Sequence, residues 1–416
     1  MNLSLLDLRI VESSAFIAAP LAGLTLAQLG ADVIHIDNIG GGLDYGRLPR
    51  MPSGRSLYWT SLNKAKRSIA IDLSRPEGRE LVRALVTAPG ENAGILLTNI
   101  VSRWLDPTEL AARRADVITC LIEGNQDGST AVDYTVNAAT GYPFMTGPDR
   151  REEGGAPINH ALPAWDIACA FQAALAIAAA ADRRRRTGMG AQLRLALADV
   201  AFTMLSHLGV AAEVELLGHD RPAIGNHIYG AFGRDFLTAD GQRIMVAAIS
   251  LSQWNGLVKS CDLGREIASL EARLGRSLAD EAARYEAREE IASLVGSWCL
   301  RRPLAEIAAA FEANRVCWGP YRTTSDLLAH DPRAGLTNPV WEPMRTAGIG
   351  HHRAAGTPLR AIDEPRGAMT PAPHLGQDTD VILAEVLALP DSAIGKLHDA
   401  GIVAGAERDP TLRPPA

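Results

Sequence analysis

The sequence has few cysteines and pairs none of them at a metal-binding spacing. Cys120, Cys169, Cys261, Cys299 and Cys317 are scattered over 416 residues, odd in number and without CxxC. That excludes a zinc ribbon and argues against a disulfide framework; it fits a reducing cytoplasm, no structural metal and five structural cysteines. Glycine-rich phosphate loops are lacking as well. The first strand-to-helix turn reads Glu12-Ser-Ser-Ala-Phe-Ile-Ala-Ala-Pro20, without GxGxxG, and no GxxxxGK[ST] occurs. Positive charge is not in excess: the net charge is −7, which argues against a nucleic-acid partner but leaves room for a local basic pocket. No apolar run reaches the roughly 18 residues expected of a membrane span. Residues 1–14 lack the basic-then-apolar order of a signal peptide. The expectation is a cytoplasmic protein with no membrane partner.

What is present is an ordinary globular composition, 47% hydrophobic and 21% charged, in a chain long enough for two domains. The first part alternates strand and helix. Leu8–Glu12, Ala31–Asp37, Arg67–Leu73, Ala93–Asn99 and Asp116–Ile122 read as strands; Ala18–Gly30, Pro76–Val86 and Pro107–Ala115 read as helices. Such alternation predicts an α/β fold, a Rossmann-like parallel sheet with ligands at the carboxyl ends of its strands. The triple glycine at 40–42 is either a plain mobile loop or a point of close approach to a ligand.

A long alanine-rich helix follows, from Pro163 and Asp166 to Arg183-Arg-Arg-Arg-Thr-Gly188. Apolar residues recur there at Ile167, Ala170, Phe171, Ala174, Leu175 and Ala178, the period of a buried helical face. Asp166 is the one carboxylate before Asp182. Residue type alone allows two roles for it, an N-terminal cap or a nucleophile beside backbone donors. The arginine run reads as a solvated helix end. A further apolar helix runs to about Leu217. The sequence then breaks, and Phe236–Ala247 reads as a hairpin around Asp240-Gly241, followed by helices between Gln253 and Asn314. The domains predicted are 1–217, a smaller α+β domain at 225–325, and a segment at 326–416 that returns to the first. The Pro/Gly-rich part of that segment shows little regular pattern before Asp380.

These residues, taken together, resemble class III CoA-transferases, the family of formyl-CoA transferase, carnitine CoA-transferases and α-methylacyl-CoA racemase. The matching stretches are Leu26–Ile34, Asn63–Leu73 with Pro76-Glu-Gly78, Thr98-Asn99, Asp166, Arg186–Gln192 and Leu375–Asp380, spread in family order over nearly the whole chain. Gly40–Tyr45, Val132–Asn137, Pro143–Pro148, His160–Ile167, Tyr229–Phe236 and Gly401–Gly405 resemble the branch acting on 2-methylfumaryl-CoA (mesaconyl-CoA).

The resemblance implies an interlocked homodimer that binds an acyl-CoA thioester, with CoA as part of the substrate and no separate cofactor. It places Asp166 at the family's nucleophilic aspartate. It implies CoA migrating from C1 to C4 of the dicarboxylate through acyl-aspartyl anhydride and aspartyl-CoA thioester intermediates. An intermolecular CoA transferase, a 2-methylacyl-CoA racemase and a non-catalytic acyl-CoA-binding protein are the alternatives. CoA-binding candidates are Asn99, Arg103, Lys66, Arg67, Ile71 and Leu73, the cations chosen for the phosphates. Arg47, His227, Tyr229 and Arg234 are candidates for holding the free carboxylate, and His160, near Asp166 in sequence, is a substrate-binding candidate rather than a second base. Three positions depart from relatives in the family. Val132 stands where racemases have a histidine, Asn38 where formyl-CoA transferase has an arginine, and Ile17 where a glutamine is found.

Overall fold

The computed structural model describes residues 3–148, 156–363 and 366–412, in two compact units. The first comprises residues 1–140, 160–216 and 332–416; the second comprises 141–159 and 217–331. The second unit is thus wider than 225–325 and takes in an earlier stretch around Tyr142–Met145.

The first unit is built on strands β1 (Arg9–Ser13), β2 (Asp32–Asn38), β3 (Arg67–Ile71), β4 (Ile95–Thr98), β5 (Ile118–Glu123) and β6 (Ala191–Ala196). They lie in the order 3-2-1-4-5-6, all parallel. This is the Rossmann-like sheet that the alternation predicts, with its order reversing beside β1. Between these strands run α1 (Ala18–Gln28), α2 (Leu57–Leu62), α3 (Pro76–Thr87), α4 (Pro107–Arg113), α5 (Asp133–Ala139) and α7 (Ala164–Thr187); α6 (Tyr142–Met145) belongs to the second unit. Two of the starts have a plain local cause. Pro76 and Pro107 occupy first-turn positions that need no N–H, and Asp106 accepts from the N–H groups of Thr108 and Glu109.

Helix α7 is long and apolar enough to cross a membrane by length and composition, contrary to the expectation from the sequence. In the structure it packs along α1 and also touches α5, β5 and β6. Cys169, Ala170, Ala173 and Ile177 are fully enclosed on that side. At its far end the arginines do not all face solvent. Arg184 is buried and donates to the carbonyls of Ala93 (2.7 Å), Gly94 and Asp116, tying the helix end to the starts of β4 and β5. The apolar helix expected to reach Leu217 is two helices, α8 (Leu197–His207) and α9 (Val210–Leu217), bent by 61°. Gly209, with φ at +75°, supplies a left-handed turn that other residues resist.

The second unit pairs β7 (Phe232–Leu237), β8 (Arg243–Ala248) and β9 (Cys317–Pro320), all antiparallel, around the Asp240-Gly241 turn. Helices α10 (Leu251–Ser260), α11 (Gly264–Leu274), α12 (Glu281–Glu286), α13 (Arg288–Cys299) and α14 (Leu304–Ala313) enclose a core around Phe232, Ile244, Trp254, Ile291 and Phe311; α15 (Thr324–His330) follows β9. Strand β9 lies within the predicted 225–325 domain, in a stretch where the sequence reading named no strand. The tail in turn holds a hairpin that was not apparent, β10 (Trp341–Thr346) with β11 (Gly350–Ala355). Helices α16 (Thr379–Leu387) and α17 (Asp391–Asp399) then lead to β12 (Val403–Ala404), which pairs antiparallel with β3 and closes that edge of the large sheet.

Two networks of buried charge join distant parts of the first unit. In one, Lys66 Nζ donates to Glu12 (2.8 Å), to the Pro20 carbonyl (2.9 Å) and to Asn63 (2.9 Å). His35 lies between Glu12 (3.6 Å) and Asp37 (3.1 Å). Burial works against a charged imidazole there, but Asp37 and Glu12 outweigh it and raise its pKa. Gly23 is required beside this cluster, because a Cβ would lie 1.6 Å from a Glu12 oxygen. In the other, Asp409 accepts from Tyr45 Oη (2.7 Å), the Leu375 N–H (3.1 Å) and the Thr411 hydroxyl (2.7 Å), and His374 Nδ1 lies 3.0 Å away. Arg55, wholly buried, donates to the carbonyls of Ala372 and Pro373. This clasp fixes the loop at 39–56 to the C-terminal segment.

Candidate active site

The N-terminus of α7 lies beside the N-terminus of α5. Pro163 is the cap residue of α7 and offers no side-chain acceptor. The N–H groups of Trp165 and Asp166 donate instead to Oδ2 of Asp133, at 2.7 and 3.0 Å. The other oxygen of Asp133 lies 3.0 Å from His160 Nε2. One turn further along α5, Asn137 Oδ1 accepts from the Trp165 indole at 3.0 Å. Capping, one of the two roles open to Asp166, is therefore performed by another residue on another helix. Among the described residues no hydrogen bond reaches the half-buried Asp166 carboxylate. Burial first, and then the charge of Asp133, push its pKa up to about 6, with Arg47 pulling the other way.

Arg47 comes from the loop fixed by the Asp409 clasp. Its guanidinium lies over two rings, 4.9 Å from the centre of Tyr58 and 5.3 Å from that of Phe16. Phe16 is half-exposed, with φ at +67°, a conformation that costs a bulky residue on the order of 1–3 kcal/mol. It is held by its neighbours. Asn99 clamps Ala15, accepting its N–H at 3.0 Å and donating to its carbonyl at 2.7 Å, and Asp44 accepts the Phe16 N–H at 2.8 Å. Burial raises the pKa of Asp44. The Tyr58 hydroxyl is buried, without a hydrogen-bond partner among the described residues. Burial pushes its pKa up to about 12, with Arg47 opposing and Asp166 adding to the rise, so it is a neutral donor facing a carboxylate and a guanidinium.

The other predicted site residues divide sharply. Arg103 sits on a 3-10 turn (Arg103–Leu105) and lines a cavity of about 250 Å³ with Thr98, Ser102, Gln192 and Arg194, at the carboxyl side of β4. Asn99 is at that edge too, but its amide is spent on Ala15. Ile71 is wholly buried in the core and Leu73 packs against the same core, so their side chains are structural. They lie next to Asp72 and Ser74, which line a larger cavity of about 790 Å³ beyond β2 and β3, with Asn38 and Arg408. Lys66 does not serve a phosphate: it is enclosed with Glu12. Arg67 is at the wrong edge of the sheet, the first residue of β3, gripping Asp32 at 2.6 and 2.9 Å and Glu385 at 3.0 Å. Neither carboxylate partner of Arg67 is visible locally, since Asp32 and Glu385 lie 35 and 318 residues away.

His227, Tyr229 and Arg234 belong to the second unit, where they have partners of their own. Arg234 lies 3.2 Å from His227 Nε2, and Glu289 lies 3.2 Å from the same nitrogen. One nitrogen cannot both accept from the arginine and donate to the glutamate. Burial lowers the His227 pKa, which favours the neutral ring accepting from Arg234. The Tyr229 ring lies 4.3 Å from Arg221 and 5.2 Å from the Tyr285 ring. The residues missed by the sequence reading are Asp133, Asn137, Tyr58, Phe16 and Asp44. The available signal was the i, i+4 spacing of Asp133 and Asn137.

Residues 5–379 match the family model "CoA-transferase family III". The chain belongs to CoA-transferase family III. It is similar to 2-methylfumaryl-CoA isomerase of Chloroflexus aurantiacus, at 49% identity over 96% of this chain and 98% of that one. It is also similar to succinyl-CoA–D-citramalate CoA-transferase of the same organism, at 26% identity over 95% of this chain and 97% of the relative. Among solved structures, a CaiB/BaiF family protein from Brucella suis matches with a TM-score of 0.74 and 26% identity, over 93% of this chain and 100% of that one. As a member of CoA-transferase family III the chain is an enzyme, and an acyl-CoA substrate fits the family.

Proposed function

We propose that this enzyme moves CoA within one molecule, converting 2-methylfumaryl-CoA to 3-methylfumaryl-CoA, with Asp166 as the covalent catalyst. The observation that carries the reading is the Asp166 carboxylate, half-buried, raised in basicity, facing Arg47 and without a hydrogen bond among the described residues. A relative with that named activity, 49% identical over 96% of this chain, supports the choice of substrate.

The steps balance without a proton or an added reactant. An Asp166 oxygen attacks the C1 thioester carbonyl, and the C–S bond breaks to release CoA thiolate and leave a mixed anhydride. The thiolate attacks the Asp166 carbonyl of that anhydride, giving aspartyl-CoA thioester and the free dicarboxylate. The C4 carboxylate then attacks that thioester and expels the thiolate again. Finally the thiolate attacks the C4 carbonyl and frees Asp166. Between the second and third steps a dianion has to stay bound. Arg47, ringed by Phe16 and Tyr58, supplies the positive charge, and the Tyr58 hydroxyl supplies a donor. His160, on Asp133, stands at the same helix start. Val132, where racemases have a histidine, has no proton to exchange, which counts against racemisation. Arg103 and the cavities beyond β2, β3 and β4 are the proposed CoA path.

We also propose a cytoplasmic homodimer; what supports the dimer is that Phe171 and Leu175 of α7, Phe202 of α8, Leu208 just after it and Leu216 of α9 are exposed apolar residues. The deciding experiment is mass spectrometry of the Asp166 peptide after hydroxylamine trapping during turnover of 2-methylfumaryl-CoA, with Asp166→Asn alongside. An adduct in the wild type, and turnover reduced at least about 1,000-fold in the variant, is the expected result. Retained turnover in the variant refutes the nucleophile. Labelled free mesaconate entering the product at the rate of turnover refutes intramolecular transfer.

A further inference from the structure

Helix α7 carries the nucleophile of the proposed reaction and yet starts without a cap of its own. An Asp at the third helical position is free to turn back toward backbone N–H groups, and Asp166 does not. Both available donors, the N–H groups of Trp165 and Asp166, are taken by one oxygen of Asp133. Asp133 and Asn137 are each only 2% exposed and stand four residues apart, on one face of α5. Asn137 holds Trp165 by its indole, so both ends of that residue are fixed. Borrowing a cap from a second helix demands that two helices keep register. A Ser or Asp at position 163 would cap without that demand. The arrangement achieves two things that a local cap would not. It fixes the backbone of Asp166 without using the Asp166 carboxylate, and it brings a second negative charge close to it.

We propose that Asp133, together with Asn137, is a positioning residue for the covalent chemistry of Asp166: it anchors the nucleophile's backbone and leaves its carboxylate without a hydrogen bond among the described residues. The inference rests on the reading of Asp166 as the nucleophile. Asp133 itself is assigned no contact with substrate. Basicity matters because the attacking group is a carboxylate, a weak nucleophile whose reactivity rises with its affinity for a proton. A neighbouring like charge raises that affinity, and an added hydrogen bond to Asp166 would lower it.

The groups around Asp166 come from several elements. Arg47 faces it from the loop at 39–56, Tyr58 from α2, Asp133 from α5 and Cys169 from its own helix, while Asp44 and Tyr134 act on Tyr58. His160 is the imidazole at this helix start, through Asp133. Tyr58 and Cys169 are both pushed up to about 12, far from the range in which Asp166 changes charge.

The test reads the ionisation of Asp166 in the full-length enzyme without substrate, by the pH dependence of carbodiimide labelling of its peptide. Turnover of 2-methylfumaryl-CoA is measured in parallel. Asp133→Asn keeps an oxygen for the two N–H donors and removes the charge; Asp133→Ala removes both; His160→Gln controls for the imidazole. In Asp133→Asn the labelling midpoint is expected to fall from about 6 by roughly half a unit or more. Its kcat is expected to drop about tenfold, with KM changed less than about threefold. Asp133→Ala should lose more, and His160→Gln should leave the midpoint in place. An unmoved midpoint in Asp133→Asn overturns the proposal, since a purely structural cap would cost stability or rate without changing it. If Asp133→Ala does not fold, Asp133→Asn still decides. If the wild type fails to turn over the substrate, the functional reading falls while the labelling midpoint still answers for Asp133.

Discussion

Asp166 and Asp409 are both withdrawn from water in the same unit, and they differ in almost everything else. Burial raises the pKa of each. At Asp409 the bonds from His374, Tyr45 and Thr411 overwhelm that rise and hold the carboxyl far below the usual range. At Asp166 nothing offsets it except the charge of Arg47, and the value is pushed up to about 6. A carboxylate whose lone pairs are all engaged is architecture. One that is buried, basic and unbonded carries unused reactivity, and such groups concentrate at functional sites. The comparison also separates Lys66 from Arg47. The first is satisfied on every side by Glu12, Pro20 and Asn63; the second leans on two aromatic rings and keeps its donors for something else.

The comparison can be broken in four places. The largest effect is expected at the clasp. Asp409→Ala leaves Arg55 buried without its counter-charge and should cost about 3–5 kcal/mol, measured by urea denaturation. A loss below about 1 kcal/mol would mean that the clasp is not structural. Next, Arg47→Gln should lower kcat/KM for 2-methylfumaryl-CoA about 30- to 300-fold, roughly 2–3 kcal/mol, and leave the denaturation midpoint nearly unchanged. An unchanged kcat/KM would remove Arg47 from the site.

The pH dependence follows in size. Only the charged form of Asp166 attacks, so kcat/KM should rise about tenfold per unit up to about pH 6 and level off above it, and stopped-flow assays from pH 4.5 to 8 would trace this. The two carboxyls then act on stability in opposite directions. Asp409 is more acidic folded than unfolded, so its contribution is present at neutral pH and is lost as pH falls through its folded pKa. Asp166 is less acidic folded than unfolded, so its charge costs stability above pH 6 and nothing below about 4. The smallest effect is therefore a gain. Asp166→Asn should be more stable than the wild type by about 1–2 kcal/mol at pH 8, after allowance for solvent screening, and equal to it at pH 4. Equal stability at both values would mean that the folded pKa is not raised.

The elements of the first unit were largely legible because periodicity is local. Strands β1 to β5 and helices α1, α3, α4 and α7 fall within a few residues of where the spacing of apolar side chains puts them. Asp166 stood out as a lone charge at the start of an apolar helix, but the pattern left cap and nucleophile open, and it was the family resemblance that favoured the second. What stayed hidden depends on partners remote in sequence. Lys66 and Arg67 look like phosphate cations until Glu12, Asp32 and Glu385 are brought beside them. The left-handed backbone of Phe16 is imposed by Asn99 and Asp44, and nothing in its own neighbourhood announces it. Short elements were lost too. Helix α2 and the hairpin of β10 and β11 are each too brief to develop a period, and the hairpin lies among prolines and glycines that read as loop.

The clasp around Asp409 also sets an order of events during synthesis. A chain emerging from the ribosome has its parallel strands and α7 available once residue 196 is out, and domains begin folding from the N-terminal side. The loop that carries Asp44 and Arg47 has to wait, because Tyr45 and Arg55 are moored to residues 372–409, more than three hundred positions later. Asp166 is in place early and its cationic neighbour Arg47 late, so a partly made chain would hold the proposed nucleophile before it holds the group proposed to retain a substrate.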